Sequence, residues 1–149
     1  MGIVTELTVR LYPIPEAISA GVCTFGSIQG AVDTVIRTIQ LGIPVARLEL
    51  LDAVQLGAIN RYSNTTYPVA PTLFFELHGG SDRYVSEQAE ELQALASEHG
   101  GRGFQFATRL EDRERLWKAR HDALYADLAL RPGSKAWTTD VCVPISQLA

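Results

Sequence analysis

Between Ile18 and Ala107 the sequence alternates strand-like and helix-like runs in the order β-α-β, an extra helix, then β-α-β. Residues 18–25 read as a strand. Ser27 can cap a helix over 28–40, with Ala31, Val32, Val35, Ile36 and Ile39 on one face, and Gly42 and Pro44 stop it. Residues 45–51 are strand-like, and Asp52 can cap a helix to about residue 62. Residues 70–78, rich in Leu and Phe, are the most strand-like run of all. Ser81 caps a polar helix over 82–99, and a glycine turn at 100–103 leads into a short strand over 104–107. This order predicts the α+β class: a split β-α-β (ferredoxin-like) antiparallel sheet with helices on one face.

Beyond that block, residues 110–130 predict one long helix, ended by Arg131-Pro132-Gly133. Residues 136–143 predict a last strand, and Ser146 is placed to cap the start of a further helix. At the other end, Glu6, Thr8 and Arg10 alternate with Leu7, Val9 and Leu11, the period of a half-buried strand. A length of 149 residues fits one domain. A strand that opens the chain and a helix that starts at its close are nevertheless expected of a piece of a longer fold.

Charge and composition narrow the function classes. The 13 basic and 17 acidic residues give a formal net charge of −4, so nothing draws the chain as a whole to nucleic acid or anionic lipid. No apolar run reaches the ~18 residues of a membrane span, and no signal-peptide pattern is visible. Cys23 and Cys142 are too few for a disulfide framework and are expected to be reduced. Together these features predict a soluble intracellular domain.

Motifs with their own chemistry are scarce. His78, His99 and His121 lack the spacing that puts two metal ligands on one helix face, so no metal site is assigned. His78 reads as a satisfied sheet-edge side chain and His99 as a helix C-terminal residue. The glycines at 100–103 follow a helix, whereas phosphate loops precede one. Cys142, between Val141 and Val143, reads as a buried inert thiol. The helix after Arg109 says more. Trp117, Arg120, Leu124 and Leu128 fall on one face, which sets a guanidinium on an apolar stripe. Arg120 then either forms a salt bridge, for example with Asp127 or Glu76, or binds a carboxylate through its fork of donors. On the last strand, Trp137, Thr139, Val141 and Val143 share a core-like face. Thr138, Asp140 and Cys142 share a polar one that fits either a cavity or open solvent.

Four stretches in order carry a resemblance: residues 2–13 (GIVTELTVRLYP), 44–52 (PVARLELLD), 117–121 (WKARH) and 139–146 (TDVCVPIS). Together they resemble the FAD-linked oxidases of the vanillyl-alcohol-oxidase type. Within that family they resemble the branch of D-lactate dehydrogenase (cytochrome) and glycolate oxidase FAD subunits. The resemblance covers essentially the whole chain. It implies that residues 1–13 are the final strand of an FAD-binding domain and that residues 14–149 are most of the cap, or substrate-binding, domain. It further implies that the backbone of Gly2, Ile3 and Val4 lies against FAD, that Arg120 contacts the substrate carboxylate, and that Thr138 faces the pocket. Dicarboxylate-oxidising relatives carry further carboxylate-contacting residues where this sequence has Leu124 and Thr138. That departure implies a short monocarboxylate such as D-lactate.

By the same resemblance, the catalytic base and the His-rich segments that could hold a divalent metal lie beyond Ala149, and no catalytic residue is assigned within the chain. The implied partners are the FAD-binding domain of the same enzyme, a small 2-hydroxy acid, and an electron acceptor such as a cytochrome or quinone. The implied location is cytoplasmic or membrane-associated through a partner, and mitochondrial in a eukaryote. The isolated chain is then expected to be inactive. The rival expectation is a stand-alone ferredoxin-like module that binds a small carboxylate or a protein.

Overall fold

A computed structural model describes residues 2–148; Met1 and Ala149, where the expected first strand and second domain have their ends, lie outside the described residues. The chain centres on a strand that shows no alternation. β3 (Thr72–Gly79) is buried from Thr72 through Leu77, which is possible only for a strand covered on both faces. β1 (Ala17–Phe25) lies antiparallel to it, from Ala17 opposite Gly79 to Thr24 opposite Thr72. β2 (Val45–Leu51) flanks β3 and β4 (Gly101–Ala107) flanks β1, giving the order β2-β3-β1-β4, antiparallel throughout. This is the expected split β-α-β sheet.

Three helices start where the sequence supplies a cap. Ser27 accepts from the Gly30 N–H (3.2 Å) to begin α1 (Ile28–Leu41), and Gly42, at φ 73°, ends it. Asp52 accepts from Gln55 N–H (2.8 Å) at α2 (Ala53–Ser63), and Ser81 from Tyr84 N–H (3.3 Å) at α3 (Asp82–Glu98). His99 occupies the C-cap of α3. β4 starts earlier than predicted, inside the glycine run. Gly103, at φ 63°, and Phe104 stand opposite the single Cys23, a bulge that needs glycine's left-handed freedom.

Cores form on both faces of the sheet. On one, Cys23, Phe25, Leu73, Phe75 and Leu77 pack against α1 and α3. On the other, Ala20, Val22, Leu51 and Phe74 pack against α2 and against the added helices α4 (Leu110–His121) and α5 (Ala123–Leu130). The added helices therefore build a third layer.

Four expectations need correction. The single helix over 110–130 is interrupted at Asp122. There the Asp122 carboxylate takes bonds from Lys118 Nζ (2.6 Å) and Ser63 Oγ (3.2 Å). Gln55 Nε2 donates to the Ala123 carbonyl (3.1 Å) and to Asp127 Oδ1 (2.9 Å), tying α5 to α2. The backbone bonds from Asp122 N–H to the Lys118 carbonyl and from Ala126 N–H to the Asp122 carbonyl span the break, while ψ at Asp122 opens to −5°. Residues 136–143 form no strand, and Trp137 and Val141 are 91% and 83% exposed rather than core-like. Residues 2–13 likewise form no strand and are exposed. In both segments the alternation specifies a face, but no neighbouring strand among the described residues completes the ladder, and a lone strand is not stable in water. Finally, Ser146 caps no helix; it lies within a single 3-10 turn, Ile145–Gln147, preceded by Pro144.

Candidate functional site: the β2–α4 contact

β2 and α4 meet along a row of charged and aromatic side chains. Strand alternation puts Arg47, Glu49 and Leu51 on the face of β2 that looks toward α4. Leu51 joins the core there beside Phe74. Trp117 of α4 is buried against Phe74, with ring centroids 6.4 Å apart. Arg47 lays its guanidinium over the Trp117 ring, 5.0 Å from the centroid. One helical turn further along α4, Arg120 Nε–H donates to Glu49 Oε2.

Glu76, opposite Arg47 in the ladder, is a buried carboxylate on a central strand. Such a group must be paired. His78 Nε2 lies 2.7 Å from its Oε1 and Arg47 Nε 3.7 Å from the same atom. His78 is thus satisfied as expected, but on a central strand and not at a sheet edge. Arg47, Glu76, Arg113, Trp117, Lys118 and His121 line an open cleft of about 530 Å³. Beside it, the hydrogen bond from Lys118 holds the Asp122 carboxyl below the usual carboxylate range, and the same bond raises Lys118.

The sequence-derived candidates are spread apart. Arg120 sits in the row just described, and its ion-pair partner is Glu49, not Asp127 or Glu76. Asp127 is taken by Gln55, and Glu76 by His78 and Arg47. Leu124, read as part of the same apolar stripe, lies beyond the break at Asp122 and is 43% exposed. Thr138 is exposed on the 134–144 segment and makes no side-chain hydrogen bond among the described residues. Gly2, Ile3 and Val4 are exposed, and a Cβ on Gly2 would meet no atom within 4 Å. Cys142 is exposed, not buried, because residues 136–143 form no strand and join no sheet.

Glu49 is the residue that sequence reasoning missed. Its signal was present: Arg47 and Glu49 are two charges on the strand face that also carries the buried Leu51. Charges in that position need partners across the layer.

Comparison with known proteins decides the family. Residues 14–149 match the family model described as FAD linked oxidases, C-terminal domain. The chain belongs to this family. It is 51% identical over 148 residues to a probable mitochondrial D-lactate dehydrogenase of Danio rerio, covering 99% of this chain and 30% of the relative. It is 45% identical to a mitochondrial D-lactate dehydrogenase [cytochrome] of Arabidopsis thaliana, covering 100% of this chain and 26% of the relative. The glycolate oxidase subunit GlcD of Bacillus subtilis is 31% identical, with 100% and 32% covered. The chain therefore spans about a quarter to a third of the length of these curated relatives.

Gly2 to Val4 are exposed and make no backbone hydrogen bond among the described residues. The described cavities are lined by other residues. Among the described residues no three His, Cys, Asp or Glu side chains gather as a metal site would require, and no helix is long and apolar enough to cross a membrane.

Proposed function

We propose that this chain is the substrate-binding part of an FAD-dependent D-2-hydroxyacid dehydrogenase that oxidises D-lactate to pyruvate. In this reading residues 1–13 close an FAD-binding domain, and residues 14–149 form the cap over the flavin. Bound FAD would accept the hydride leaving the alcohol carbon; that chemistry is the cofactor's. The chain's own contribution is to bind and orient the acid. Arg120 supplies the guanidinium for the substrate carboxylate, Thr138 faces the pocket once the 134–144 segment is covered, and Gly2 to Val4 meet the flavin. The hydroxyl proton goes to a base outside residues 1–149, and no step is assigned to a metal.

The observation that carries the reading is Arg120. It is a half-exposed guanidinium on a rigid helix, beside a buried tryptophan, in a family of FAD-linked oxidases whose matched relatives are named D-lactate dehydrogenases. The electron acceptor in this reading is a cytochrome or quinone, and in a eukaryote the location is mitochondrial, as the relatives' names have it.

The test is Arg120→Ala in the FAD-loaded full-length enzyme. Losing one partner of a hydrogen-bonded charge pair costs about 2–5 kcal/mol, so kcat/KM for D-lactate should fall by roughly 30- to several-thousand-fold. Flavin absorbance should be retained. Near-normal turnover would contradict the reading.

A further inference from the structure

The fold presents Arg120 in one orientation. A guanidinium carries five N–H donors in a rigid plane. Glu49 takes the one at Nε. That bond fixes the plane of the group and leaves the edge formed by Nη1 and Nη2 with no acceptor among the described residues. The side chain is 39% exposed, so the guanidinium is not sealed in the core.

Glu49 is itself rigidly held. It stands on β2 opposite Phe74 of the central strand, so its backbone is fixed by the ladder and not by a loop. Its neighbour on the same face, Arg47, is occupied by the Trp117 ring and by Glu76, which leaves Glu49 to Arg120. The adjacent carboxylate, Glu76, is buried and committed to His78 and Arg47. The charges of the row thus sort into two separate sets. One locks Arg47 against Trp117, and the other aims Arg120.

We propose that Glu49 is a positioning residue: by holding Arg120 at Nε it turns the two terminal nitrogens toward the substrate carboxylate, which takes both in parallel. The inference rests on the carboxylate-binding reading of Arg120 given above. A glutamate that merely competed with substrate for the same guanidinium would have the opposite effect when removed.

The experiment compares Glu49→Ala, Glu49→Gln and Arg120→Ala in the FAD-loaded full-length enzyme, by steady-state kinetics with D-lactate and by flavin absorbance. Glu49→Ala frees Arg120 to rotate and should raise KM about 10- to 100-fold while kcat stays within about threefold. Glu49→Gln keeps an acceptor of the same shape and should recover most of that loss. A KM at or below wild type in Glu49→Ala overturns the proposal. If Glu49→Ala does not retain flavin, Glu49→Asp, one methylene shorter, is read instead; it should raise KM, and an unchanged KM overturns the proposal. Normal kcat/KM in Arg120→Ala would remove the underlying reading. A crippled Arg120→Ala beside a normal Glu49→Ala would remove only the role of Glu49.

Discussion

Cys23 and Cys142 occupy opposite environments and should behave oppositely. Cys23 lies in the core between the sheet and α1/α3, and burial pushes its thiol up to about 12 from the ordinary 9.0. Cys142 is exposed. A thiol reagent at mildly alkaline pH should label Cys142 at once and Cys23 only on unfolding; rapid labelling of both would contradict the packing. The sign of the linked stability follows. A folded-state pKa above the unfolded one gives stability that is complete below about 9 and lost as the pH rises toward about 12. Legibility at this scale was uneven. Helical spacing placed Arg120 beside Trp117 correctly, because i and i+3 share a face whatever surrounds the helix. Its partner Glu49 lies 71 residues away, and finding it requires the β2 register and the packing angle of α4, neither of which is a local property.

At the level of elements, the first turn of α1 meets the C-terminal end of α3 in a contact that helix propensity would misjudge. Gly30 sits in the first turn of α1, where alanine is ordinarily better by about 1 kcal/mol. A Cβ there would come within 2.4 Å of the His99 carbonyl oxygen at the end of α3. Backbone cannot yield as a flexible side chain does, so Gly30→Ala is expected to destabilise by about 1–3 kcal/mol. Urea unfolding at constant m-value would measure it, and a stabilised variant would show that the two helix ends do not touch. The elements that read well from sequence were those with local punctuation: Ser27, Asp52 and Ser81 cap the helices they were expected to cap, and Gly42 ends α1. The failures were at 2–13 and 136–143, where period-2 alternation records a face but not the partner needed to form it. The break at Asp122 was hidden for the same reason, since Gln55 and Ser63 reach it from α2.

For the molecule as a whole, the sheet's two faces divide the labour. α1 and α3 close one face with an apolar core, whereas α2, α4 and α5 close the other with a core that gives way, toward Arg47 and Glu76, to paired charges and an open cleft. The ferredoxin-like core was legible because its β-α-β order admits few topologies. The third layer was not, because the sequence does not say onto which face an added helix folds. Arg120 stands on that third layer, where in our proposal it receives the carboxylate of a D-2-hydroxy acid. The most direct measurement is the anaerobic reduction of flavin by D-lactate in the full-length enzyme, followed by rapid mixing, for wild type and Arg120→Lys. This isolates substrate binding from the electron acceptor. Lysine keeps the charge but not the fork, so the apparent Kd for D-lactate should rise about tenfold or more, with the oxidised flavin spectrum unchanged. Saturation at wild-type D-lactate concentrations would contradict it.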